Sequence, residues 1–144
     1  MGSIWVKIPP ANTNGENPLR WDCEKQGCFN KKMRPKLEKF AGCFPRRINF
    51  GDVDGLVEIN SQALLLEWKT GMGRLKDGQR IMLQNLTRDG SFIGLVVVGD
   101  AETMTVSHMG TFENGKQGEL VPATLEDVKD YITRWATRAD TRGR

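Results

Sequence analysis

The stretch Asn49-Phe50-Gly51-Asp52-Val53-Asp54-Gly55-Leu56-Val57-Glu58-Ile59-Asn60-Ser61-Gln62-Ala63-Leu64-Leu65-Leu66-Glu67-Trp68-Lys69 decides the reading of this chain. Val53 to Ile59 alternates as a half-buried strand does, and Ala63 to Lys69 is almost continuously apolar, as in a central strand. Asn60-Ser61 between them reads as a two-residue turn. With that length Ile59 faces Gln62, and counting outward sets Asp54 opposite Glu67 and Asp52 opposite Lys69.

Side chains alternate along a strand and directly opposed residues share a face, so these four polar groups are expected together on one side of the sheet. Two carboxylates with Cβ atoms about 5 Å apart repel unless a positive charge lies between them. A hard divalent cation, Mg²⁺ or Mn²⁺, takes oxygen ligands and keeps several waters, so the pattern reads as a metal site beside a lysine. Asp54 and Glu67 are the expected ligands, with Asp52 as a supporting ligand or an ion-pair partner of Lys69. Gly51 and Gly55 bracket the two aspartates and permit close backbone approach.

Asp-x(12)-Glu-x-Lys at the end of a hairpin resembles the PD-(D/E)XK nuclease superfamily. The following Thr70-Gly71-Met72-Gly73-Arg74-Leu75-Lys76-Asp77-Gly78-Gln79 resembles its virus-type replication-repair (VRR-NUC) and phage-nuclease branch. The similarity covers about residues 35–99, and Val53 stands where the motif's name has proline. The resemblance implies a restriction-endonuclease-like α/β core: a helix, a three-stranded antiparallel meander, a helix and a further strand, here followed by a C-terminal helix. It implies Mg²⁺-dependent hydrolysis of DNA phosphodiester bonds leaving a 5′-phosphate and a 3′-hydroxyl. Lys69 would orient the water or hold the phosphate. It also carries over Glu38, as a first-helix acid reaching the site, and Gln79, leaning toward it from the next helix.

At 144 residues a single domain is expected, with an N-terminal arm (1–30), a core (31–99) and C-terminal strands and helix (100–144). The net charge of +3 is mild, but its distribution is uneven. Lys31, Lys32, Arg34, Lys36, Lys39, Arg46 and Arg47 crowd one stretch against the single acid Glu38, and with Arg74 and Lys76 they are the expected phosphate contacts. The longest apolar run, Phe92 to Val98, is too short to span a bilayer, and no signal peptide is evident. Three cysteines, an odd number, favour a reducing cytoplasmic setting. Zinc at Cys23, Cys28 and Cys43 is the weaker reading beside small buried thiols.

Around the motif, Lys32 to Phe40 reads as a short helix with Leu37 and Phe40 inward, and Arg46 to Phe50 as the first strand. A helix is expected over about 77–88 with Ile81, Met82, Leu83 and Leu86 on its apolar face, then a buried strand over 92–98. Edge strands follow around Asn114-Gly115, and Thr124 caps a last helix with the stripe Leu125, Val128, Ile132, Trp135 and Ala139. His108 is the only histidine and reads as structural or surface. The chain holds no separate sequence-reading module, which favours recognition of DNA structure, branched or junction DNA above all, by a homodimer that brings two centres to one junction. The alternatives are a nickase, flap or end-directed nuclease of repair or restriction, and a non-catalytic binder of nucleic acid or protein.

Overall fold

The computed structural model describes residues 35–142, and the chain divides between Phe50 and Gly51 into two units. The expected core over 31–99 straddles that division.

In the first unit a 3₁₀ helix spans Leu37–Cys43. None of its residues is buried, so no packed face selects the α-helical period. Phe40, expected inward, is 47 % exposed and meets Phe50 edge-on, as does Phe44. The strand expected over Arg46 to Phe50 is not formed. Arg46 adopts a left-handed backbone (φ 58°), and the Ile48 amide turns back to the Pro45 carbonyl at 3.2 Å, which no extended ladder permits. The meander therefore lacks its first strand.

The second unit is a mixed α/β layer structure. Strands β1 (Gly55–Ile59) and β2 (Gln62–Lys69) are followed by helix α1 (Asp77–Leu86) and then by β3 (Phe92–Asp100) and β4 (Thr105–Glu113). Two short strands, β5 (Lys116–Gln117) and β6 (Val121–Pro122), precede helix α2 (Leu125–Arg142). The sheet order is β1-β2-β3-β4-β5, with β6 also paired to β4. β1 and β2 form an antiparallel hairpin, β2 and β3 run parallel across the α1 crossover, and β4 returns antiparallel.

The hairpin has the expected register, with Ile59 opposite Gln62 and Gly55 opposite Leu66. Asn60 and Ser61 both take positive φ (49° and 67°), the turn whose twist matches that of paired strands. Asn60 also donates through Nδ2 to the Ala139 and Asp140 carbonyls of α2, at 3.2 and 2.9 Å. β1 starts at Gly55, two residues later than the pattern suggested, and Leu56 and Val57 are exposed on its two faces. As the last strand of the sheet it has one paired neighbour and little cover.

Alternation along β2 and β3 sorts the core into two layers. Leu64, Leu95 and Val97 pack with Val106 under the α2 stripe of Val128, Trp135 and Ala139. Thr124 and Asp127 exchange capping hydrogen bonds at the start of that helix, 3.2 and 2.8 Å. On the opposite face Leu83 of α1 reaches Val96, Phe112 and Leu75. Gly94 makes room for it, because a Cβ there would stand 3.0 Å from Leu83 Cδ2. Only Leu83 of the expected α1 face is buried, Ile81 and Leu86 being exposed. Thr87 behind the helix is fully buried, its Oγ1 donating to the Leu83 carbonyl and accepting from the Gly115 amide. No helix among the described residues is long and apolar enough to cross a membrane.

Candidate active site

The site lies where β2 ends. Glu67 pairs with Val96 and Lys69 with Val98 across the parallel ladder, so both project on the α1 face. Ligands of open α/β sheets commonly sit beyond the carboxyl ends of parallel strands, and the β2–α1 connection folds over this end. A cleft of about 400 Å³ opens there, with Glu67, Lys69, Arg74, Lys76 and Gln79 on its walls.

Asp54 precedes β1, and its Oδ2 accepts the Trp68 amide at 2.7 Å. The hairpin ladder ends at Gly55 and Leu66, and this side-chain bond holds the Asp54 carboxylate beside the end of β2. Gln79, in the first turn of α1, donates through Nε2 to Glu67 Oε1 at 2.7 Å. Burial pushes the Glu67 carboxyl above its ordinary value, and the neighbouring Asp54 charge raises it further. The Gln79 hydrogen bond and the Lys69 charge pull in the other direction, and Asp52 adds the smallest upward push. Such a group holds its negative charge at a cost that a nearby cation relieves. The Lys69 ammonium donates to the Gly73 carbonyl, which ties the glycine-rich connection to the lysine.

Of the expected site residues, Asp54, Glu67, Lys69 and Gln79 come together in this way, and Arg74 and Lys76 line the same cleft. Asp52 lies in the irregular segment before β1. Among the described residues no group of three or more His, Cys, Asp or Glu side chains is gathered as a metal cage. The carboxylates of Asp54 and Glu67 are the donor type that hard divalent cations take. Glu38 stands in the first turn of the 3₁₀ helix, in the first unit. Lys36, Lys39, Arg46 and Arg47 are exposed there. Lys31, Lys32, Arg34, Cys23 and Cys28 lie outside the described residues. Cys43 is exposed, contrary to the expected buried thiol.

Two features were not visible beforehand. The Gly73 carbonyl is a partner of Lys69 that no spacing rule marks. His108 faces Val98 across β3 and β4, which sets it on the α1 face in line with Val98 and Lys69. Its local partner is the Ser107 hydroxyl at 3.0 Å. That alignment depends on the parallel β2–β3 register across the α1 crossover as well as on the β3–β4 pairing, so no signal near His108 in the sequence announces it. Comparison of the chain with family models, curated proteins and solved structures returns no significant match.

Proposed function

We propose that the protein is a metal-dependent nuclease of restriction-endonuclease-like design, hydrolysing DNA phosphodiester bonds at the cleft beside β2. The observation that carries this reading is the half-buried, Gln79-bound Glu67 carboxylate set against Asp54, with Lys69 two residues on along the same face. Asp54 and Glu67 would hold a divalent cation, Mg²⁺ or Mn²⁺. When bound, that ion polarises the phosphate, lowers the pKa of a coordinated water and stabilises charge on the leaving oxygen.

The chain's own groups set the geometry. Gln79 holds Glu67 in one orientation, and the Trp68 amide does the same for Asp54. Lys69 orients the attacking water and neutralises the scissile phosphate, while Arg74 and Lys76 hold flanking phosphates as counterions are released. Water attacks phosphorus in line, the bond to the 3′ oxygen breaks, and a 5′-phosphate and a 3′-hydroxyl remain. The resemblance of Asp-x(12)-Glu-x-Lys and the run after it to phage nucleases supports branched DNA as substrate and a homodimer as the acting form.

The test is cleavage of labelled four-way junction, flap, nicked and linear duplex DNA with Mg²⁺, Mn²⁺ or EDTA, by the native protein, Glu67→Gln and Lys69→Ala. Metal-dependent product lost in both variants is expected. Binding in EDTA without product on any substrate would replace this reading with that of a non-catalytic DNA binder.

A further inference from the structure

A second cavity of about 390 Å³ adjoins the carboxylate cleft and shares Lys69, Gly73, Arg74 and Leu75 with it. Its character is different. Val96 and Phe112 of the sheet, Leu120 after β5 and Met72 of the β2–α1 connection give it apolar walls, with Gln117 and Glu119 as polar groups among them. Gly110 belongs to this wall by construction. A Cβ there would stand 3.0 Å from the Glu119 carbonyl and 3.2 Å from Leu120 Cδ2, so a side chain would press that segment away from β4.

The volume falls within the roughly 300–1,000 Å³ of small-molecule sites, and the composition, apolar walls with a few polar groups, is that of such sites. The two cations of the lining, Lys69 and Arg74, stand where the two cavities meet, and its one acid, Glu119, lies in the segment over β4. An apolar slot with a cationic mouth complements a nucleotide: a flat aromatic base within, a phosphate at the entrance. A purely structural void among Val96, Phe112 and Leu120 would not need to open onto Lys69.

We propose that this cavity receives one unstacked nucleobase of the strand whose phosphate lies at Lys69. The inference rests on the phosphodiesterase reading and narrows its substrate class. Extruding a base from a duplex costs free energy, least where the base is already unpaired. Cutting is then favoured beside single-stranded or frayed nucleotides, as at flaps, junction crossings and single-strand borders, over intact duplex.

The experiment is titration of the ¹⁵N-labelled full chain with deoxyadenosine 5′-monophosphate and, separately, with deoxyribose 5-phosphate, which has the phosphate without the base. Deoxyadenosine monophosphate should bind about tenfold more tightly, the gain expected of one buried base. It should move the amides of Gly110, Gly118 and Leu120, which deoxyribose phosphate leaves in place. Met72→Ala, at a position 54 % exposed and outside both core layers, should weaken the nucleotide and leave deoxyribose phosphate unchanged. Equal affinities, with shifts confined to residues 67–76 for both ligands, overturn the base pocket and spare the nuclease reading. No shift near Lys69 with either ligand, together with no cleavage of any substrate, overturns both.

Discussion

One face of the sheet presents Leu64, Leu66, Trp68, Ile93, Leu95 and Val97 to the eighteen-residue helix α2, whose buried Val128, Trp135 and Ala139 close over it. The other presents Leu65, Glu67, Lys69, Val96 and Val98, and the ten-residue α1 covers only part of it, burying Leu83 alone. The same strands supply both layers by alternation, residue by residue. What differs is the cover. A long amphipathic helix turns its face into core, while a short one leaves the strand ends open, and there charged groups and cavities persist. Packing is concentrated on the α2 side, and the candidate site lies on the α1 side.

The sharpest way to break that division is Trp135→Ala, which removes the largest buried side chain that α2 contributes. A loss of about 3–5 kcal/mol is expected, read from urea unfolding. A loss comparable to that of an exposed residue would show that α2 is not the stabilising cover. Lys69→Ala should behave oppositely. Its stability should stay within about 0.5 kcal/mol of the native chain, while metal-dependent cleavage falls at least ~100-fold. Unfolding of this variant, with cleavage retained by what remains folded, would assign Lys69 to structure.

Asn60 tests how the hairpin is tied to α2. Asn60→Ala loses two hydrogen bonds and places an alanine at φ 49°, for an expected cost of about 1–2 kcal/mol. Asn60→Gly keeps the backbone and loses only the hydrogen bonds, so it should fall between Asn60→Ala and the native chain. If the two variants are equal, backbone conformation contributes nothing at this turn.

The smallest expected effect sharpens the α1 side. Glu67 has its folded pKa raised, chiefly by burial, so the folded chain binds its proton more tightly than the unfolded chain does. That contribution is complete below the ordinary value of 4.5 and is lost as pH rises through the raised value. Glu67→Gln should lack this decline in a pH series of unfolding midpoints. Gln79→Ala removes the hydrogen bond that lowers Glu67, so the carboxyl carbon of Glu67 should titrate at still higher pH by NMR. A midpoint moved downward would contradict the assignment.

Several elements were legible in the chain because their causes are local. Asn60-Ser61 set a two-residue turn, and the register followed by counting, which is how Asp54 and Glu67 were matched. Leu125, Val128, Ile132, Trp135 and Ala139 recur at helical spacing, and Thr124 with Asp127 caps their helix. The buried strand over 92–98 needed only its apolar run. Arg46–Phe50 failed for an equally local reason, since the left-handed Arg46 breaks extension, but the sequence offers no glycine there to mark it.

What the sequence by itself determined, then, was each segment's periodicity, its caps and turns, and through one short turn the register of the hairpin. Only the tertiary structure decided which strand lies beside which. Parallel pairing of β2 with β3, the interior place of β4 and the alignment of Lys69 with His108 all join residues far apart in the chain. The physical reason is that a strand's pattern says which face is apolar, not what will cover it or which edge it will join. Those choices come from the competition of all segments for the same buried surface. They also decided that α1 would stop short, leaving the cleft and the cavity beside Lys69 open.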